Sequence, residues 1–233
     1  VVEIGVGILY IGVIQNLSFK MRRIAIIGSA AFGQQIVDTI ENDSMESFEI
    51  VGYFDDFAEV GSKIKGYSIL GTIDSIVELY HQDKFDCAFI AIGYKHFAFK
   101  ETVYNKIKNR IPLANIICKT AFIHPTSKIG EGVLIASFAI VNKNATIEDD
   151  VCITLRSIVN HDCVVDKHTF FSTSVSTAGN VKIGKRCFIG IGCILSDGIS
   201  VADDVWLSPG VVLGKDINSP GHYISYSMKV TKL

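Results

Sequence analysis

A chain of 233 residues with 48% hydrophobic and 20% charged residues carries enough apolar side chain for one large or two modest cores, which excludes a disordered segment. A formal charge of −2, without any run of Lys or Arg, excludes a nucleic-acid or anionic-membrane surface as the main partner and leaves small molecules. Six cysteines, Cys87, Cys118, Cys152, Cys163, Cys187 and Cys193, come without CxxC or HxxxH spacing, so reduced structural thiols are expected rather than disulfides or a metal site.

The opening stretch, VVEIGVGILYIGVIQNLSFK, is apolar but is broken by Glu3, by glycines and by Gln15-Asn16, and it has no basic leader. It reads as neither a signal peptide nor a membrane span. A strand pattern begins straight after Met21 in MRRIAIIG, so residues 1–20 are expected to be an upstream extension and the protein cytoplasmic.

Over residues 21–120 the pattern alternates. Residues 23–27 form a short apolar run, 34–40 have helical spacing, and FEIVGYFDD is β-rich; 73–80 read as helix, CAFIAIG as a buried strand, 97–108 as helix, and LANII as a last strand. This predicts a small Rossmann-like βαβ domain with a parallel sheet, whose ligand site lies at the carboxyl ends of the strands, where Gly28, Asp55, Asp56 and Gly93 fall. The turn GSAAFG keeps only the outer glycines, Gly28 and Gly33, of a G-x-G-x-x-G fingerprint. It still aims helix N-terminal amides at an anion, and Asp55 stands where an acid meets a ribose or a base edge. A plain strand-end turn with solvated aspartates stays open beside the nucleotide reading.

From Ile123 the period becomes six: IHPTSK, IGEGVL, IASFAI, VNKNAT, IEDDVC, ITLRSI, VNHDCV, VDKHTF, FSTSVS, TAGNVK, IGKRCF, IGIGCI, LSDGIS, VADDVW, LSPGVV, LGKDIN. Fourteen of these sixteen windows begin with Ile, Val or Leu, and the fifth place is always small or β-branched. Neither a helix nor a plain strand repeats every six residues; a triangular β-helix of short strands and tight corners does. At three windows per coil the prism stands about 25 Å tall. Cys163, Cys187 and Cys193 occupy the inward fifth place.

Residues 18 apart stack in one column, so Gly179 and then Asp197 lie above His161. A missing side chain directly above a histidine leaves room for a ligand. Register alone leaves His161 open between a solvated surface residue and a base beside that gap. A metal shared among His124, His161 and His168 is disfavoured, because His124 lies two coils below His161 and His168 faces another side.

The hexapeptide series, with NHDCV, AGNVKIG, FIGIG and ISVADD at these intervals behind a βαβ domain carrying FDD and AIG, resembles the left-handed β-helix acyltransferases. Within them it is similar to the bacterial nucleotide-sugar N-acetyltransferases that act on UDP-4-amino-dideoxy sugars and to the related sialic acid O-acetyltransferases. The likeness runs from Arg23 to about Asn218. It implies a Rossmann-like sugar-nucleotide domain over 21–120, a left-handed parallel β-helix over 121–218, a tail over 219–233, and a homotrimer with active sites between subunits. It implies direct transfer from acetyl-CoA, without a metal, to a nucleotide-linked amino sugar in a surface-polysaccharide pathway. His161 would be the general base, Asp162 the acid that raises its basicity, and the Gly179 amide the oxyanion donor. Gly179, Asn180, Gly190 and Ile191 would line the acetyl-CoA path; Gly28, Gly33, Asp55, Asp56 and Gly93 would hold the sugar nucleotide. Sugar O-acetylation and a non-catalytic hexapeptide scaffold are the other readings. The chain departs from the family pattern at Phe32 and Phe171, each in place of a histidine, at Ser208-Pro209 in place of glycines, and at SYSMK near its end.

Overall fold

The computed structural model describes residues 21–225. The proposed extension over 1–20 and most of SYSMK lie outside them. The first domain holds β1 (Arg22–Ile27), α1 (Ala31–Asn42), β2 (Phe48–Phe54), β3 (Lys63–Ile64), β4 (Tyr67–Gly71), α2 (Ile76–His81), β5 (Cys87–Ile90) and α3 (Phe97–Ile107). Its sheet runs β3-β4-β2-β1-β5, parallel except for the β3–β4 hairpin. Alternation along β1 sends Ile24 and Ile26 to one layer and Ala25 and Ile27 to the other, so both faces of the strand are covered. The hairpin escapes the sequence reading because β3 has two residues and no apolar period.

LANII is divided between the two parts. Leu113 bridges Ala88 beside β5, whereas Ile116–Ile117 pair with Leu134–Ile135 and form the first rung of the prism. At the other end Gly221–Tyr223 pair with Val205–Leu207, so a last rung follows residue 218.

The prism has three parallel faces of seven, six and five short strands. Places one and five of each window point inward; Ala139, Val141, Val159, Val165, Cys187 and Leu195 are all fully buried. Each buried Val or Leu of this kind stabilises by about 1.5–3 kcal/mol. The fourth place turns the corner in the left-handed region, from Gly132 (φ 69°) through Asn144, Asp150, Asp162 and Asn180 to Gly210 (φ 72°). Glycine, Asn and Asp tolerate that conformation best, so those residues recur there for local reasons.

The outward residues of the faces differ in kind. On the first face Leu134, Cys152, Phe170, Phe188 and Trp206 lie in one column under the N-terminal domain. The second carries Phe122, Ile140, Ile158, Ser176, Ile194 and Val212, with Phe122, Ile194 and Val212 more than half exposed. The third is polar: Lys128, Thr146, Val164, Lys182 and Ser200.

The two parts are also joined by charge. Lys100 of α3 is buried, its Nζ 2.9 Å from Asp150 Oδ1 and 2.9 Å from the Asp150 carbonyl, while His168 Nδ1 lies 2.7 Å from Asp150 Oδ2. Burial pulls the Lys100 pKa down, but the Asp150 carboxylate outweighs it and the net direction is up. The ammonium therefore stays charged across the neutral range.

Candidate active site

His161 sits at the corner between the apolar second face and the polar third. Its backbone is held by Asn160, whose Oδ1 accepts the His161 amide at 2.8 Å and the Asn142 side-chain amide at 2.9 Å. Asp162 occupies the left-handed corner (φ 57°), and its Oδ2 lies 2.9 Å from His161 Nδ1. The Asn144 side chain donates to the other Asp162 oxygen at 3.0 Å. Asn144 and His161 both hold the Asp162 carboxyl below its usual range, so it is an ionised acceptor at neutral pH. An acceptor there favours the tautomer with its proton on Nδ1, which in the neutral ring leaves the lone pair on Nε2. Asn144 is one coil below Asp162 and was readable by the same 18-residue arithmetic that placed Gly179.

Gly179 is where the column predicts. A Cβ built on it would lie 2.5 Å from His161 Nε2 and 3.0 Å from Asp197 Oδ1, so the missing side chain is the space those groups face. Elsewhere the corner amide is often taken by a side chain, as at Lys143 by Asn142 and at Lys167 by Asp166. Ala178 has no such group, and among the described residues the Gly179 N–H meets no acceptor. The Asn180 amide, by contrast, bonds the His161 carbonyl at 3.0 Å.

Gly190 and Ile191 are not beside this group. They form the corner between the first and second faces, at the opposite edge of the apolar face. Side chains are excluded at Gly190 by the next coil, with Leu207 O 2.5 Å from the Cβ position, and Ile191 is exposed. Phe171, at a departure from the family pattern, points inward and is fully buried.

In the first domain Gly28, Asp55, Asp56 and Gly93 line one cavity of about 440 Å³, together with Phe32, Phe57, Tyr94, Lys95, His96 and Phe99. The N-terminus of α1 opens onto it, without a side-chain cap at Ala30. Gly33 does not line it; its Cβ would meet the Gly28 carbonyl at 2.0 Å, so the position is a packing requirement. Asp55 is buried and spent on the loop: Oδ2 accepts the Ser29 amide (2.7 Å) and hydroxyl (2.6 Å), and Oδ1 the Phe57 amide (2.8 Å). Burial pushes its carboxyl up, but the Ser29 hydroxyl and the Phe57 and Ser29 amides outweigh that and hold it low. Asp56 Oδ1 accepts the Ile73 amide at 2.8 Å, and among the described residues its Oδ2 meets no donor. Asp55→Ala is expected to cost about 2–3 kcal/mol by leaving these donors unpaired. Because the folded-state value is depressed, the wild-type contribution is whole above 3.8 and fades as the pH falls below it, which chemical denaturation at several pH values measures.

A second cavity of about 200 Å³ shares Phe32 and Tyr94 with the first and runs to Ser137, Thr154, Leu155 and Thr173, at the same corner as Ile191. His161 lines neither cavity. His168 is locked under α3 against Asp150 and is not available to a neighbour's His161, and among the described residues no group of three or more His, Cys, Asp or Glu is placed to hold a metal ion. The six cysteines are unpaired and buried, and burial pushes the Cys187 thiol up to about 12. No helix among the described residues is long and apolar enough to cross a membrane.

Comparison with known proteins matches residues 23–107 to the PglD N-terminal domain and 117–222 to the GMPPB C-terminal domain. The acetyltransferase domain of PglB from Neisseria gonorrhoeae, solved with acetyl coenzyme A, is 22% identical with a TM-score of 0.79, over 88% of this chain and 97% of that one. PerB from Caulobacter crescentus, solved with CoA and GDP-perosamine, is 22% identical with a TM-score of 0.77, over 87% and 93%. The UDP-3-O-acylglucosamine N-acyltransferase of Herminiimonas arsenicoxydans is 29% identical over 102 residues, 42% of this chain and 29% of that protein. The chain thus matches under a third of the length of such curated relatives, while the fold, a small parallel α/β domain followed by a left-handed β-helix, is shared along nearly the whole of the solved acetyltransferases.

Proposed function

We propose that this chain, which joins a PglD-type N-terminal domain to a left-handed β-helix, is an acetyl-CoA-dependent N-acetyltransferase acting on a nucleotide-linked amino sugar of the UDP-4-amino-dideoxy type. The observation that carries the reading is the His161 Nε2 lone pair facing the vacancy at Gly179, with Asp162 behind the ring and an uncommitted amide beside it. In the reaction His161 takes a proton from the attacking amine and passes it to the departing thiolate. The Gly179 N–H donates to the oxygen of the tetrahedral intermediate. The sugar nucleotide occupies the 440 Å³ cavity, with its diphosphate at the α1 N-terminus near Lys95 and His96 and its base toward Asp56. The buried cysteines, with raised pKa values, are unsuited to a covalent acyl-enzyme.

The active site lies between copies in this reading. The apolar second face has His161 at one edge and the second cavity with Ile191 at the other, so among the described residues of one chain His161 lies apart from both cavities. Three copies closed head to tail through that face bring one copy's His161 edge against the next copy's cavity edge. The PglB and PerB structures hold acetyl-CoA, or CoA and GDP-perosamine, which fits this division of labour. Cytoplasmic placement and a role in surface polysaccharide assembly follow from such a substrate.

The test is thiol release from acetyl-CoA with UDP- and dTDP-4-amino-dideoxy sugars, GDP-perosamine and free sialic acid as acceptors, alongside the native mass. Turnover of an amino sugar by a trimer is expected. Acetylation of sialic acid alone would establish the O-transfer reading, and failure to bind CoA as an intact oligomer would establish the scaffold.

A further inference from the structure

The gap at Gly179 has two walls, and only one belongs to the base. Asp197 stands one coil above Gly179, its Oδ1 3.0 Å from the point a Gly179 Cβ would occupy, and His161 Nε2 is 2.5 Å from that same point. Backbone bonds hold the column: the Asn180 amide to the His161 carbonyl and the Gly198 amide to the Gly179 carbonyl, both 3.0 Å. Asp162, the other carboxylate of this corner, is engaged by Asn144 and His161, whereas the Asp197 carboxylate has no hydrogen-bond or ion-pair partner among the described residues.

A carboxylate oxygen and an imidazole nitrogen face one vacancy as two acceptors, while the Gly179 N–H beside them is kept for the acyl oxygen. An ammonium group has three N–H donors and a positive charge, so it satisfies both; a hydroxyl has one donor and satisfies one. Resting on the acetyltransferase reading above, we propose that Asp197 is the substrate-positioning residue that recognises the acceptor as an ammonium ion and selects amines over hydroxyls. The protons balance on this arrangement. The bound ammonium sheds one proton to solvent past the exposed Asp197 and becomes a free amine. The amine nitrogen forms its bond to the thioester carbon. His161 takes a second proton from that nitrogen and delivers it to the CoA sulfur as the C–S bond breaks. The products are the amide, CoA thiol and one released proton.

Kinetics of the full-length oligomer with GDP-perosamine and UDP-4-amino-dideoxy sugars test this, using the matching 4-hydroxy nucleotide sugars as competitive inhibitors. Asp197→Asn should raise KM for the amine about tenfold, the order expected for a charge-assisted hydrogen bond, with the loss falling on KM rather than kcat. It should leave inhibition by the hydroxy sugar unchanged, and Asp197→Glu should recover most of the amine KM. An unchanged amine KM in Asp197→Asn, or an equal loss for amine and hydroxy sugar, overturns the assignment while leaving the acetyltransferase reading intact. A wild-type oligomer that binds CoA yet acetylates no amine overturns both. Melting temperatures near that of wild type for both variants are expected from an exposed side chain without protein partners, and confirm that the KM change is local.

Discussion

Replacing His161 by alanine lowers kcat for acetyl transfer by about 10²–10⁴-fold, the range that a positioned general base contributes. The native mass and the melting temperature are expected to match those of wild type. The two halves of this result have separate causes. Nε2 is the acceptor that faces the Gly179 vacancy from below, so its loss leaves the amine proton to water. The side chain is half exposed and among the described residues bonded only to Asp162, so its removal opens no cavity and orphans no buried group. Asp162→Asn gives a smaller loss, because the asparagine keeps the corner conformation but no longer fixes the Nδ1 proton. Parallel measurement of thiol release and thermal unfolding settles the matter; a His161→Ala enzyme with wild-type kcat would remove the base from His161.

Lys100→Met destabilises the protein by about 3–5 kcal/mol, the cost of leaving a buried carboxylate without its counter-charge. Asp150 then retains only His168 at 2.7 Å, in a site from which water is excluded. The double variant Lys100→Met with Asp150→Asn recovers much of that loss, since no charge remains buried and asparagine accepts the left-handed corner. Urea unfolding of wild type, Lys100→Met, Asp150→Asn and the double variant measures the coupling. Equal stabilities for wild type and Lys100→Met would mean that the pair does not hold the N-terminal domain to the prism.

The strict period of six names its own architecture, because only a coil of short strands and tight corners sends the first and fifth of every six residues inward. That is why the solenoid, its inward cysteines and the stacking of Gly179 over His161 could be read from one chain. Such columns depend on counting alone, and Asn144 below Asp162 belongs to the same legible class. Elements whose role depends on a partner far along the chain were not legible. LANII looks like one strand, yet pairing with Ala88 claims its start and pairing with Leu134–Ile135 its end. Asp55 looks like a ligand group, and only the folded loop shows its oxygens already taken by Ser29 and Phe57.

The site divides along the same line. Sequence by itself determined the βαβ and β-helix order, the stacking of Gly179 over His161 and the strand-end positions of Gly28, Asp56 and Gly93, because these follow from local period and strand-end placement. Tertiary structure decided which prism face the first domain covers, and so left exposed the apolar face that runs from the His161 edge to the Gly190–Ile191 edge. It also left Asp197, above Gly179 and His161, without a side-chain partner among the described residues. Those facts depend on which side chains meet across 18 residues or more, and hydrogen-bond satisfaction between distant groups leaves no period in the chain.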